Sequence, residues 1–257
     1  MSEPAITVDG LVKRYSGSDK NAVDGISFTV ESGSFFTLLG PNGAGKTTTI
    51  SILTTTLAPT GGVACVAGFD VRRDASAVRQ RVGIIFQNHS LDQNLTAEEN
   101  IRLHAVMYGI VPWRPLYRLM PEEYRARVDE LAGLLGIGDE IFKPVRTYSG
   151  GMKRKLEIVR SLMHRPQILF LDEPSAGLDA ASRRALWAYL KDVREKSGTT
   201  VFLTTHYLEE AEDCDRVCII AKGKIVALGS PAEVKSTVAA AHTPSLEDAY
   251  LAIVERS

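Results

Sequence analysis

At 257 residues, 44% hydrophobic and 24% charged, the chain can bury a full core as one large domain or two lobes. Its net charge of −1 gives no reason to expect a nucleic-acid surface. Three scattered cysteines argue against a disulfide framework and suit a reducing cytosol, and no apolar run approaches the ~18 residues needed to span a bilayer.

Residues 5–39 read as strands: AITVDGLVKRY, AVDGISFTV and SFFTLLG are rich in Val, Ile, Thr and Phe and punctuated by Gly and Asp. The third runs into GPNGAGKTTT, where Gly40, Gly45, Lys46 and Thr47 fit G-x-x-x-x-G-K-[ST]. Such a loop, here Gly40, Pro41, Asn42, Gly43, Ala44, Gly45, Lys46, Thr47 and Thr48, curls so that its N–H groups face phosphate oxygens. The next helix adds its positive N-terminal end, Lys46 neutralises the β- and γ-phosphates, and the Thr47 hydroxyl is placed for Mg²⁺. The plain alternative is a Gly-rich turn with a stray lysine; the strand before and helix after favour a nucleotide. A helix is expected over 46–57 despite the poor propensity of TTTISILTTTL, followed by strands over 61–68 and 81–88. The last is a buried strand whose polar end carries Gln87, in reach of Mg²⁺ or an attacking water.

From about Thr96 to His164 the texture is helical, in TAEENIRLHAVMYG, PEEYRARVDELAGLLG and GGMKRKLEIVRSLMH. Thr96 with Glu99 makes a capping box, Pro121 fits a helix start, and Val128, Leu131, Leu134 and Leu135 fall at helical spacing. Between the helices, IVPWRPLYRLMP at 110–121 holds three prolines, two large aromatics, Arg114 and Arg118, and reads as an ordered surface loop ahead of the alternative, a docking surface. The run Lys153-Arg154-Lys155 reads as a solvated helix face. In YSGGM, Ser149 caps a helix whose first N–H groups, at Gly150 and Gly151, face outward. This is a second phosphate-binding helix start, useful if Ser149 of one copy closes over the nucleotide held by another.

Strand texture returns after Pro166, in QILFLDEP, TTVFLTTH and RVCIIAKGKIVALG. ILFLDEP delivers Asp172 and Glu173 to the polar end of a buried strand. In a P-loop protein the first acid holds Mg²⁺ and the second orients or deprotonates the attacking water. TTVFLTTH ends at His206, placed for a γ-phosphate. A helix running through 214–218 would put Cys214 and Cys218 on one face; no His spacing supports zinc, and both read as packing residues. The start, MSEPAITVDG, lacks the basic and apolar regions of a signal peptide.

Taken in order, GPNGAGKTT, Gln87, YSGGM, LFLDEP, SAGLD and His206 resemble the nucleotide-binding subunit of an ABC transporter, over nearly the whole chain. YSGGMKRKLEIVRSLMHRP and SLEDAYLAI resemble its drug-exporter branch of the daunorubicin-resistance type. The resemblance implies an α/β P-loop core with an N-terminal antiparallel β subdomain and an inserted helical subdomain. It divides the single domain into a core of 1–95 and 165–257 and a helical lobe of 96–164. It implies ATP and Mg²⁺ as cofactors, with Thr47, Gln87 and Asp172 on the metal and Glu173, His206 and Gln87 in catalysis. Tyr15 falls where the family stacks a ring on adenine, although a strand-surface tyrosine is its plain reading. Ser149, Gly150 and Gly151 would cover a partner's nucleotide, with Asp179 in the D-loop. The implied partners are a second ATPase subunit, expected as a homodimer, and a separate permease, at the cytoplasmic face of the membrane and with no nucleic acid. YSGGM departs from the commoner LSGGQ at Tyr148 and Met152. The rival reading is a soluble ABC ATPase acting on nucleic acid or ribosomes; a single P-loop and a modest insert weigh against it.

Overall fold

The computed structural model describes residues 3–86, 90–175, 178–237 and 245–255. Among these residues ten strands form two sheets. β1 (Ile6–Arg14) and β2 (Asn21–Val30) make a hairpin, and β1 also pairs antiparallel with β4 (Gly61–Val66), whose other neighbour is β5 (Phe69–Asp70). The second sheet contains β3 (Phe35–Leu39), β6 (Val82–Ile85), β7 (Ile168–Asp172), β8 (Thr200–Thr205) and β9 (Arg216–Ala221), all parallel, with β10 (Lys224–Gly229) antiparallel at one edge. Its order is β10-β9-β3-β8-β7-β6.

The central strands are buried on both faces, and their side chains divide by the two-residue period of a strand. Phe36, Phe170 and Phe202 point toward the antiparallel sheet, where Phe28 stacks on Phe36 at 5.4 Å and Phe36 on Phe202 at 5.2 Å. Their neighbours Phe35, Leu39, Leu169, Leu171 and Leu203 point the other way, into a cluster shared with the helices.

Helices α1 (Lys46–Leu53) and α2 (Ala75–Arg81) follow β3 and β5. The helical segment holds α3 (Ala97–Met107), α4 (Glu122–Leu134) and α5 (Gly150–Leu162). Beyond it lie α6 (Ala180–Ser197), α7 (Leu208–Ala211), α8 (Pro231–Ser236) and α9 (Leu246–Glu255). The Thr96–Glu99 capping box forms, and Pro121 sits at the N-cap of α4. No helix among the described residues is long and apolar enough to cross a membrane.

Several expectations are corrected. The helix after the P-loop ends at Leu53 rather than 57: the Thr54 hydroxyl donates to the Ile50 carbonyl, and Thr55 turns to φ 63°. Of the strand expected over 81–88, Val82–Ile85 forms, and residues 87–88 lie outside the described residues. No helix joins Cys214 to Cys218: α7 stops at Ala211 and Cys218 lies in β9, though both thiols are buried as packing residues. Leu134 is exposed, while Val128, Leu131 and Leu135 are buried. Arg154 is 4% exposed, so the basic run is not a solvated face.

Candidate nucleotide site

All the described groups from the sheet stand at the C-terminal ends of its parallel strands. β3 leads into the P-loop, and its glycines are set by packing as well as by turn geometry. A Cβ at Gly40 would lie 2.3 Å from the Ile220 carbonyl oxygen, and one at Gly45, where φ is 111°, 2.5 Å from that of Ala22. Gly45 caps α1 without a side-chain acceptor, and no acid occupies the first turn. The N–H groups of that turn are thus left for an anion.

The Lys46 ammonium is buried, donates to the Gly40 and Pro41 carbonyls at 2.7 and 3.2 Å, and lies 3.8 Å from Glu173. Burial pushes it below the usual lysine range, and the charges of Glu173 and Asp172 pull it back. Asp172, at the end of β7, accepts from the Thr204 hydroxyl at 2.5 Å and the Thr47 hydroxyl at 3.4 Å. A hydroxyl and a carboxylate converging in this way form an oxygen donor set suited to a hard cation such as Mg²⁺.

Glu173 sits at φ 48°, a conformation that non-glycine residues seldom adopt. Its N–H donates to the Thr204 carbonyl at 3.1 Å, and its own carbonyl accepts from Arg154 at 3.2 Å. Its carboxylate lies 3.3 Å from His206 Nδ1, just beyond β8. A cleft of about 510 Å³ gathers Asn42, Gly43, Ala44, Gly45, Lys46, Thr47, Thr48, Glu173 and His206 around one volume. Tyr15 is 46% exposed and hydrogen-bonds through its hydroxyl to Thr48 at 3.2 Å, which places its ring beside the P-loop helix. Gln87 lies outside the described residues.

The helical segment contributes differently. Ser149 accepts from the Met152 N–H at 3.2 Å and caps α5; Ser149 and Gly150 are exposed, Gly151 is partly so, and the first turn carries no acid. Tyr148, standing where leucine is commoner, is buried and donates to the Glu140 carbonyl at 2.7 Å, a bond leucine cannot make. Asp179 accepts from the Ala181 N–H at 2.9 Å near the start of α6. None of these residues lines the 510 Å³ cleft.

Arg154 was not among the expected site residues. From one turn inside α5 it donates to the carbonyls of Pro174, Asp172 and Glu173 at 3.0–3.2 Å, to that of Phe86 at 2.5 Å, and to the Glu157 carboxylate at 3.3 Å. Burial pushes its guanidinium below its usual value, with Glu157 opposing; it stays charged. Glu157 accepts from the Ser90 N–H at 2.9 Å, and Arg160 donates to the Ser90 carbonyl at 2.7 Å. Helix α5 therefore grips both flanks of residues 87–89 and the end of β7 together. Helical spacing held a signal for this: Arg154, Glu157, Ile158 and Ser161 form one buried face.

Residues 23–176 match the ABC transporter family. The chain is 43% identical to the daunorubicin resistance ATP-binding protein DrrA3 of Streptomyces coeruleorubidus, over 92% of its own length and 71% of that protein. It is 40% identical to the Nod factor export ATP-binding protein I of Ralstonia nicotianae, over 90% of its length and 69% of the relative. A solved ATP-binding subunit of an ABC transporter superposes with a TM-score of 0.84 at 28% identity, covering 97% of this chain and 99% of that one. These relatives are transporter chains, and nothing among them supports the reading as a nucleic-acid or ribosome ATPase.

Proposed function

The chain belongs to the ABC transporter family and is an ATP-binding, ATP-hydrolysing subunit; from that premise we propose that it acts as a pair of identical copies on the cytoplasmic face of a membrane. There it drives a separate permease that exports a drug, an antibiotic or a lipid-like molecule. Subunits of this family dimerise and work with a membrane permease. The export class rests on the resistance and export functions named for the relatives.

The observation that carries the mechanism is the convergence of Lys46, Thr47, Glu173 and His206 on one cleft, with Asp172 hydrogen-bonded to Thr47 beside it. Lys46 and the P-loop amides hold the β- and γ-phosphates of ATP, and Tyr15 offers a ring for the adenine. Thr47 and Asp172, with Gln87, would hold Mg²⁺, which supplies positive charge to the phosphate oxygens. Glu173 takes a proton from water attacking in line, and His206, already against that carboxylate, steadies the γ-phosphate. Ser149 and Gly151 reach the γ-phosphate held by the other copy, because in their own chain they stand apart from the cleft. We read 1–95 and 165–257 as the core and 96–164 as the helical lobe that carries this second half of the site.

Glu173→Gln tests the assignment. It keeps the shape and removes the base, so ATP binding measured by equilibrium titration stays within about twofold while phosphate release falls roughly 10²–10⁴-fold. Near-normal release would sink Glu173 as the base.

A further inference from the structure

From Asn100 to Pro121 the sequence contains no Asp or Glu, although the chain as a whole is slightly acidic. In that stretch Met107 is 84% exposed, Trp113 59%, Leu119 53% and Leu116 46%, and Arg114 and Arg118 are exposed among them. Large apolar side chains are seldom left in water so densely without a use.

The segment is nevertheless held in place. Arg102, ion-paired to Glu98 at 3.2 Å, donates to the Arg114 carbonyl at 2.8 Å. The Tyr117 hydroxyl donates to Asp129 at 3.1 Å, its ring packs edge-on to Phe142 at 5.3 Å, and Met120 is buried. The fold thus spends inward contacts on fixing a loop whose remaining side chains point out. Those side chains are a tryptophan, two arginines and long flexible apolar groups, with no negative charge among them.

We propose that residues 107–119 form a contact surface for the anionic face of a lipid bilayer. Trp113 would lie at headgroup level, with Met107, Leu116 and Leu119 dipping into the acyl boundary. Arg114 and Arg118 lay their apolar stems along the surface and their guanidinium groups on lipid phosphates. The membrane location proposed above gives this surface its setting, but lipid contact is a property of this chain alone and fails or stands without a permease.

The test uses the purified full-length chain and sedimentation with vesicles of phosphatidylcholine, with and without phosphatidylglycerol. Binding is expected only with phosphatidylglycerol, weakened by salt, with a blue shift of tryptophan emission that Trp113→Ser removes. Arg114→Glu/Arg118→Glu should weaken binding by at least about tenfold, while thermal unfolding and ATPase rate in solution match the parent chain. Failure to bind either vesicle, or equal binding by the double variant, overturns the proposal. Co-purification of a permease lost in Trp113→Ser without any lipid binding would overturn it too, and would assign the surface to a protein partner. None of these outcomes bears on Glu173 or on ATP hydrolysis.

Discussion

At the C-terminal edge of the parallel sheet, Lys46 and His206 both reach Glu173, and Thr47 reaches Asp172; at the start of α5, Ser149 and Gly150 face solvent. Both regions use an uncapped or minimally capped helix start free of acids, so both offer N–H groups to an anion. They differ in what surrounds that start. Around α1 one chain supplies a carboxylate, an ammonium and a hydroxyl–carboxylate pair. Around α5 the surroundings are water, so a second surface must complete it. On the function proposed above, one half of the chemistry is preorganised and the other half is presented, and closure between copies would be the step open to regulation.

Arg154 joins the two halves inside a chain, and removing it should have the largest effect. Arg154→Met takes from buried Glu157 the guanidinium 3.3 Å away and from four carbonyls this donor. Breaking a buried pair from one side costs about 3–5 kcal/mol, so the urea midpoint should fall sharply. Arg154→Met/Glu157→Met should recover part of that loss, since the buried carboxylate is then gone as well. Recovery of stability without recovery of phosphate release would separate the two roles: holding the fold together and holding Glu173 in its left-handed turn. An Arg154→Met chain as stable as the parent would break the comparison, because the halves would then not be joined there.

Both halves were legible in outline and not in their wiring. The P-loop, the Asp172–Glu173 strand end and the Ser149 cap all follow from local rules, since each is a short motif whose chemistry depends on neighbours in sequence. Arg154 was hidden because its partners are 18–20 residues away at 172–174 and 68 residues away at Phe86, and because flanking lysines gave it the look of a surface run. The same long-range dependence hid Thr204, whose hydroxyl links the Glu173 N–H to the Asp172 carboxylate. Helix ends were misjudged where threonine hydroxyls turned back on carbonyls, as at Thr54, an effect that hydrophobic pattern does not carry.

A mixing experiment sharpens the distinction between the preorganised and presented halves. Ser149→Arg places a bulky cation at the exposed helix start, where closing over a second copy would bury it. Hydrolysis should drop about 10²-fold, while ATP binding to the P-loop is unchanged. Glu173→Gln is silent for the opposite reason. Combined in one tube, the two silent chains should regain activity, because a mixed pair joins an intact Glu173 to an intact Ser149 from the other copy. If each chain used its own Ser149, the mixture would stay silent, and the homodimer with shared sites would be wrong.

The smallest effect expected comes from within the helical segment. His104 in α3 stacks on Tyr108 at 4.3 Å, which in turn stacks on His164 at 4.4 Å. Burial, with Arg160 and then His164 adding positive charge, depresses the His104 imidazole from 6.5 to about 3. A base depressed on folding is neutral in the native chain and protonated in the unfolded one between those two values. The unfolded state then binds more protons, so stability falls as the pH drops below about 6.5, at roughly 1 kcal/mol per pH unit. His164 is depressed by burial too and acts in the same sense. His104→Phe keeps an aromatic ring against Tyr108 and removes one of these protons. Urea unfolding at pH 7 and pH 5.5 should therefore show a smaller loss of stability on acidification in the variant than in the parent. An unchanged difference would mean that His104 titrates alike in both states, so that packing around α3 does not shield it from water.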